Sequence, residues 1–445
     1  MSERLGWYGA WALLGILLVI LAVTLPELGS DPWPFRPTVV DPQGVLAPLV
    51  RAAGRDWDVG IARTGCFIAA LICGGGAVAL FWMRSWPAWA GAGLVLLVAL
   101  VLLVPSTFLQ LGLRQSTAPW FFTNDSTYQV ELGGRALLKG HDPYGRDYRH
   151  TGLERFYTYD GSVSPSVLKN QVALRHFAYF PGTVLTAALW RGLPKPFDDY
   201  RFFLLVCTVL TLFAALAFRA PLAWRLGIGA LLVCNPIAVR SSWFGQTDAP
   251  SLLLLVLAFA MVTRTRYGWA AASLAGAVLL KQFALVALPF IALMLLKRGA
   301  TRAELRRAGL ILGGILAVAI LPFFLWDPGA FWADTVRYGA GTYKIVGYGL
   351  SDILLRFHII DSRTGSYPFV LFAVTLWLPL TVWLLFAQRK APELWVGAAA
   401  FAVSILVLMW IGRTFNNYYL VWPLTGAAIA ALMAAGERAT PASRP

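Results

Sequence analysis

The sequence predicts an all-α polytopic membrane protein, and three observations carry that expectation. Hydrophobic residues make up 58% of the 445-residue chain and charged residues only 13%, giving a mean hydropathy of +0.65. A fold bathed in water has too little interior to hide that much hydrocarbon. Segments such as 7–25 contain no charged residue. A run of roughly 20 such residues suffices to cross the roughly 30 Å hydrocarbon core of a bilayer. The basic clusters, finally, recur at alternate connections in the second half of the chain, as expected for a helix bundle threaded through a membrane. Together these exclude a large soluble α/β enzyme with buried helices.

Taken in order, apolar segments are expected near 6–25, 64–83 and 87–105. The first exceeds the roughly 7–15 residues of a signal-peptide core and has no clear small-x-small cleavage site after it, so it reads as a retained span. A long polar stretch, 106–178, follows as a large extracytoplasmic loop carrying short interfacial helices. Further segments are expected near 179–194, 202–218, 226–240, 249–263, 268–280, 283–296, 308–326, 366–387, 394–412 and 418–435. Residues 1–435 thus form one transmembrane domain of about 12 spans, and 436–445 a disordered cytoplasmic tail.

The basic groups Arg219/Arg225, Arg264/Arg266, Lys297/Arg298/Arg302/Arg306/Arg307, Arg389/Lys390 and Arg438/Arg444 mark the cytoplasmic side by the positive-inside rule. The connections at 241–248, around Lys281, at 327–350 and at 413–419 then face outward. One segment between His176 and Ser241 must fail to cross if this sidedness holds on both flanks. Segment 180–193 is the shortest, is bracketed by Pro181 and Pro194, and contains Arg191, so it reads as re-entrant or interfacial. Alternatively, Pro236 splits the third segment.

In a multispan chain the net charge of +15 reads as topology, and no nucleic-acid partner is expected. Cys66, Cys73, Cys207 and Cys234 lie in apolar segments, where thiols behave as small hydrophobes. His141, His150, His176 and His358 show no metal-ligand spacing. Neither a metal nor a cofactor is expected.

The polar motifs gather on the outward face. Asn124-Asp125 precede a segment in which Tyr128, Leu132, Leu137 and Leu138 share one face, predicting a helix along the membrane surface. Asp125 suits two roles, an N-cap or a general base whose proton affinity is raised at a low-dielectric boundary. Gly140 and the run Asp142-Pro143-Tyr144-Gly145 read as a helix stop and a turn, with His141 and Asp142 as supporting candidates. The segment 176–182 is an aromatic return to the bilayer in which Arg175 and His176 are candidates for an anionic lipid head. Gln246 and Asp248 open a span and either cap it or bind sugar hydroxyls. Lys281-Gln282 interrupt an apolar run, and a lysine near membrane depth either snorkels or holds a phosphate. Arg413 is a second phosphate candidate, with Asn417 and Tyr418 as hydroxyl binders or interfacial caps. Arg337, Tyr343 and Lys344 on another outer loop complete the candidates.

The combination of Asn124-Asp125, Gly140-x-x-Pro143-Tyr144, Tyr179-x-Pro181, Gly245-Gln246-x-Asp248, Lys281 and Asn417-Tyr418-Tyr419 resembles the GT-C superfamily of multispan glycosyltransferases. The likeness is closest to the bacterial polyprenol-phosphate-mannose-dependent mannosyltransferases of the glycosyltransferase 87 type, and it covers roughly 7–432. It implies a GT-C-like bundle and inverting transfer of a hexose, mannose foremost, from a polyprenyl phosphate to a glycolipid or glycan acceptor outside a bacterial plasma membrane. In such enzymes an Asp on the first large outer loop is the base, and Asp125 matches that position. Asn124, Tyr128, His176, Gln246, Asp248, Lys281, Gln282, Arg413, Asn417 and Tyr418 are the substrate-binding candidates. Two departures stand out. The large loop follows the third span rather than the first, and the acidic position is a lone Asp rather than a pair. The competing expectations are a transporter or flippase of lipid-linked sugars, which would favour repeated halves and a midplane site, and a non-catalytic membrane scaffold.

Overall fold

A computed structural model describes residues 42–53, 88–115, 123–157, 165–342 and 344–439, with parts of a helix over 68–79. The expected span 6–25 and most of 64–83 lie outside the described residues, as do 440–445. The described chain is helical almost throughout, and its two strands, β1 (Val346–Gly347) and β2 (Thr414–Phe415), are two residues each and pair in parallel. Four helices are long and apolar enough to cross a membrane, namely Val95–Gln115, Arg302–Trp326, Phe369–Lys390 and Asn417–Ala439. The protein is therefore an all-α membrane protein.

The longer helices are numbered here in chain order. Helix α1 (Ala88–Gln115) continues ten residues past the expected end at 105, even though Pro105 lies inside it. What was read as the beginning of the polar loop is its buried last turns, including Leu109, Leu111 and Leu113. The amphipathic helix α2 (Asp125–Leu138) follows, then α3 (Pro181–Trp190). At a rise of about 1.5 Å per residue, the ten residues of α3 reach about half the hydrocarbon thickness, too short to cross unaided. Next come α4 (Tyr200–Ala215), α5 (Leu222–Cys234) and α6 (Pro236–Phe244). The expected segment 226–240 is therefore broken. Asn235 takes an extended conformation ahead of Pro236, as residues before proline do, and caps α6 by accepting from Ile237 and Ala238.

Helices α7 (Ala249–Thr263) and α8 (Tyr267–Leu280) form the central hairpin. A 3₁₀ turn, Gln282–Ala287, leads into α9 (Leu288–Lys297), so the expected helix 283–296 is irregular over its first half. Helix α10 (Arg302–Trp326) opens with a capping box between Thr301 and Glu304 and packs on α8. Helices α11 (Phe369–Lys390), α12 (Trp395–Trp410) and α13 (Val421–Ala439) close the bundle, and α13 extends four residues into the segment expected as tail. The main core runs through α1, α4, α5, α7, α8, α9, α12 and α13, with Phe259, Phe290, Phe401 and Trp422 fully buried.

The two ends of the bundle are built differently. At one end Arg264 donates to the Ala217 carbonyl, Arg298 to Thr263, and Lys297 to Gln388. The other end collects the start of α7, the end of α8 and the start of α13. Helix α2 sits at that end, fixed by a buried ion cluster. Arg114 at the end of α1 grips Glu131 of α2 with both guanidinium nitrogens (3.0 and 2.6 Å) and also donates to Asp199 at 2.8 Å. Asp199 caps α4 and binds Arg201, which is fully buried. Burial works to raise the Asp199 carboxyl, but Arg114 and Arg201 outweigh it and hold it below its ordinary value.

Helix α2 lies on α3, and α3 on α8. Gly182 lets the last contact form, because a Cβ there would stand 2.7 Å from the Leu279 carbonyl oxygen. Thr183 donates to the Leu280 carbonyl at 2.7 Å. The end of α8, and with it Lys281, is thereby indexed to the loop helices.

Arg114→Met removes one partner from a buried ion cluster and leaves two carboxylates facing each other, at a cost of about 3–5 kcal/mol. The expected outcome is a clearly lower thermal unfolding midpoint in detergent or nanodiscs; a midpoint equal to that of the parent would refute this role for the cluster.

Candidate functional site

Helix α2 presents Asp125 at its first position. Asn124 has the extended backbone of an N-cap and accepts from the Ser126 amide at 2.9 Å and the Ser126 hydroxyl at 2.6 Å. The capping role thus falls to Asn124, although an Asp125 carboxylate oxygen also accepts from the Ser126 amide at 2.8 Å. The Asp125 carboxyl is further hydrogen-bonded by the Tyr157 phenol and feels the positive charge of Lys281. Its proton affinity is raised by partial burial, which outweighs those three stabilising contacts to the ionised form.

Lys281 ends α8 in an extended conformation (φ −155°, ψ 116°). Its ammonium donates to the Thr247 hydroxyl at 3.1 Å and pairs with Asp248 at 3.3 Å. It also lies 5.2 Å from the Tyr179 ring centroid, a cation–π contact. Asp248 makes no side-chain cap bond to α7. One of its oxygens instead takes both the Trp422 indole N–H, at 3.0 Å, and the Lys281 ammonium. The competing snorkelling and capping readings of Lys281 and Asp248 therefore give way to a half-buried ion pair whose ammonium also hydrogen-bonds Thr247.

The turn bearing Asp248 is bound directly to α2. Gly245 ends α6 in the left-handed region (φ 84°), and a Cβ there would come within 2.5 Å of the Thr127 hydroxyl, which donates to the Gly245 carbonyl. From the third side, Tyr419 packs against Phe283 and Tyr418, and both Asp125 and Asp248 act electrostatically on its phenol. Asp125, Asp248, Lys281 and the Tyr418-Tyr419 pair thus belong to one cluster. Gln246 follows in the same turn, and Gln282 reaches the Ala178 carbonyl at 3.4 Å. Asn417 is exposed at the head of the 3₁₀ turn Asn417–Leu420.

Three candidates are placed differently from their expected roles. Tyr128 is buried, its hydroxyl donating to the Thr151 carbonyl at 2.8 Å and its ring near Arg114, Arg135 and Phe156. Its place on the apolar face of α2 makes it core. His176 contacts Asp334 through Nδ1 at 2.6 Å and stacks on Tyr338. Asp334 also accepts from the Gly145 and Phe177 amides, so this group fastens the large loop to the π-helical segment Ala333–Thr342. Arg413 is buried and donates to the Arg363 and Gly365 carbonyls, which anchors β2 to the neighbouring loop. The turn at 142–145 forms as expected, with Asp142 accepting from the Tyr144 amide. Arg337 is exposed on the π-helical segment, Lys344 is exposed beside β1, and Tyr343 lies outside the described residues.

Sequence reasoning missed Tyr157, Thr247, Trp422 and Asp334. Trp422 looked like one more aromatic in an apolar span, and nothing around Tyr157 forms a motif. Thr247 was legible, since it stands inside the Gly245–Asp248 motif. Among the described residues, no group of three His, Cys, Asp or Glu side chains converges on a common metal position. No family model, curated protein or solved structure matches the chain.

The site's electrostatics predict a pH response. By infrared difference spectroscopy in membranes, the carboxyl band lost in Asp125→Asn should titrate above the ordinary Asp range near about 3.9. Tyr157→Phe removes a bond that favours the ionised form, so the midpoint should move higher still. A midpoint that falls, or stays put, would contradict the Tyr157 contact.

Proposed function

We propose that the chain is an integral-membrane glycosyltransferase of GT-C type, moving a hexose, with mannose the foremost candidate, from a polyprenyl-phosphate donor to a glycolipid or glycan acceptor. The observation that carries this reading is the shared cluster of Asp125, whose proton affinity is raised, and the half-buried ammonium of Lys281. A base and a fixed cation in one site are what inverting displacement at an anomeric carbon requires.

In this reading Asp125 takes the proton of the acceptor hydroxyl while that oxygen attacks the anomeric carbon from the face opposite the phosphate. The bond from that carbon to the phosphate oxygen breaks, and the electron pair leaves with the polyprenyl phosphate. Lys281 meets the developing negative charge with its ammonium. Asp248, Thr247 and Trp422 hold the ammonium in place. Gln246, Gln282, Asn417 and Tyr418 are the groups near the cluster suited to sugar hydroxyls, whereas His176, Tyr128 and Arg413 serve as positioning residues.

The recurrence of basic groups at alternate connections in the second half of the chain supports the sidedness. With the Arg264, Lys297, Arg298 and Arg389 end in the cytoplasm, the cluster faces the extracytoplasmic side of a bacterial plasma membrane. That is the side where a lipid-linked sugar would be consumed. A flippase or transporter is the competing reading, and a site at helix ends rather than at mid-bundle weighs against it.

Asp125→Asn should lower sugar transfer by about 10²–10⁴-fold in membranes supplied with a polyprenyl-phosphate sugar, with the amount of folded protein unchanged. Near-normal turnover would remove Asp125 as the base. Lys281→Met should lower kcat/KM for the donor by about tenfold or more, the worth of a lost charged hydrogen bond, and leave the acceptor KM nearly unchanged. An effect confined to the acceptor would overturn its phosphate role.

A further inference from the structure

The connection from Leu350 to Pro368 holds an apolar feature that the site does not use. After the short helix Leu350–Arg356, Phe357 and Ile359 are 74% and 69% exposed. The next residue, Ile360, is buried with Ile345 and Tyr367 in a small separate core, against which Leu354, Leu355, Phe369 and Phe372 pack. The loop is well defined. The Ile359 amide donates to the Leu354 carbonyl at 2.9 Å, the Ile345 amide to Arg363 at 2.9 Å, and Tyr367 to Ile411. Two large apolar side chains are thus held outward by a built scaffold.

What covers them follows from what they adjoin. The small core rests on the first turn of α11, a helix long and apolar enough to cross a membrane and left largely uncovered by the rest of the protein. Val370, Leu371 and Val374 continue the exposed apolar face down that helix. Exposed aromatic residues cluster at the same end, with Trp326 closing α10, Trp332 just beyond it and Tyr348 beside β1. Trp and Tyr concentrate where acyl chains meet headgroups. Arg356, itself paired with Asp352, and Arg363 flank the tip and suit the phosphate layer.

We propose that Phe357 and Ile359 insert into the outer leaflet beside α11, making the 356–363 loop a lipid-anchored shoulder next to the site. The anchor fixes the depth of β1, and through β1–β2 pairing that of the 417–420 turn. This stands whether or not the cluster transfers sugar.

The test places a single environment-sensitive fluorophore at Phe357→Cys, Ile359→Cys or Ser362→Cys in the full chain. The protein is reconstituted into phosphatidylethanolamine–phosphatidylglycerol nanodiscs, with the unsubstituted chain as the labelling blank. All three side chains are exposed, so folding should be retained. Labels at 357 and 359 should show blue-shifted emission and lose intensity to lipids carrying a nitroxide high on the acyl chain, while the label at 362 responds chiefly to aqueous iodide. Iodide quenching at 357 and 359 equal to that at 362 would overturn the proposal. So would protection from both quenchers, which would indicate a protein partner instead.

Discussion

The pairing of Arg114 with Glu131 and Asp199 is the constraint on which the site-bearing end of this protein depends. It ties the last turn of a membrane-crossing helix to the loop helix α2 and to the start of α4 in one buried cluster. Such a cluster is costly to desolvate and stable only when every charge is matched. Arg201 completes the matching on Asp199, and the Tyr200 amide donates to Glu131. The polar contacts that fix α2 grip it from different sides, at Gln129 toward the His176 carbonyl and at Glu131 toward Arg114, since residues two apart on a helix do not share a face. The first turn, with Asp125, is thereby held at a set distance from the transmembrane bundle.

The site itself is assembled from helix ends. Lys281 stands where α8 stops, Asp248 where α7 starts, Asp125 where α2 starts, and Tyr418-Tyr419 just before α13. Helix ends carry polar backbone groups that lack intrahelical partners, so they already demand a wet or hydrogen-bonded setting. Concentrating them at one end of the bundle leaves the rest of the helices free to be apolar. The glycine at 182 and the left-handed turn at 245 are the local features that allow the ends to meet, because each brings a backbone against a neighbour that a side chain would push away.

The membrane class, most helix positions and the residues at 125, 248 and 281 were legible in the sequence, since charge interrupting apolar runs is a strong local signal. The break at Asn235-Pro236 and the shortness of the segment after Pro181 were legible as alternatives, because proline marks both. The ion cluster was not. Arg114 falls inside the stretch expected as polar loop, and neither Glu131 nor Asp199 belongs to a motif; their convergence is a tertiary fact. The same holds for His176 and Arg413, whose residue types suit anions equally well whether the partner is a ligand or the protein's own carboxylate and carbonyls.

Several carboxylates sit at the site-bearing end, and their surroundings separate them by role. Glu131 and Asp199 face arginines, and at Asp199 these outweigh burial and favour the anion. Asp334 accepts two backbone amides and contacts His176, so its lone pairs are occupied by structure. Asp248 is held between an indole N–H and an ammonium. Asp125 differs in kind. Its direct partners are the neutral Ser126 amide and Tyr157 phenol, and the nearby cation is engaged with Asp248 and acts on it at longer range. Burial therefore prevails over charge at Asp125, and its proton affinity rises where a matched ion pair would have suppressed it. A carboxylate locked by arginine is too weak a base to accept a hydroxyl proton, and one fully exposed to water gains nothing from its surroundings. The division of cations between the Glu131–Asp199 cluster and the Asp248–Lys281 pair is what leaves one acid with a raised proton affinity, the property that the proposed role as base draws on.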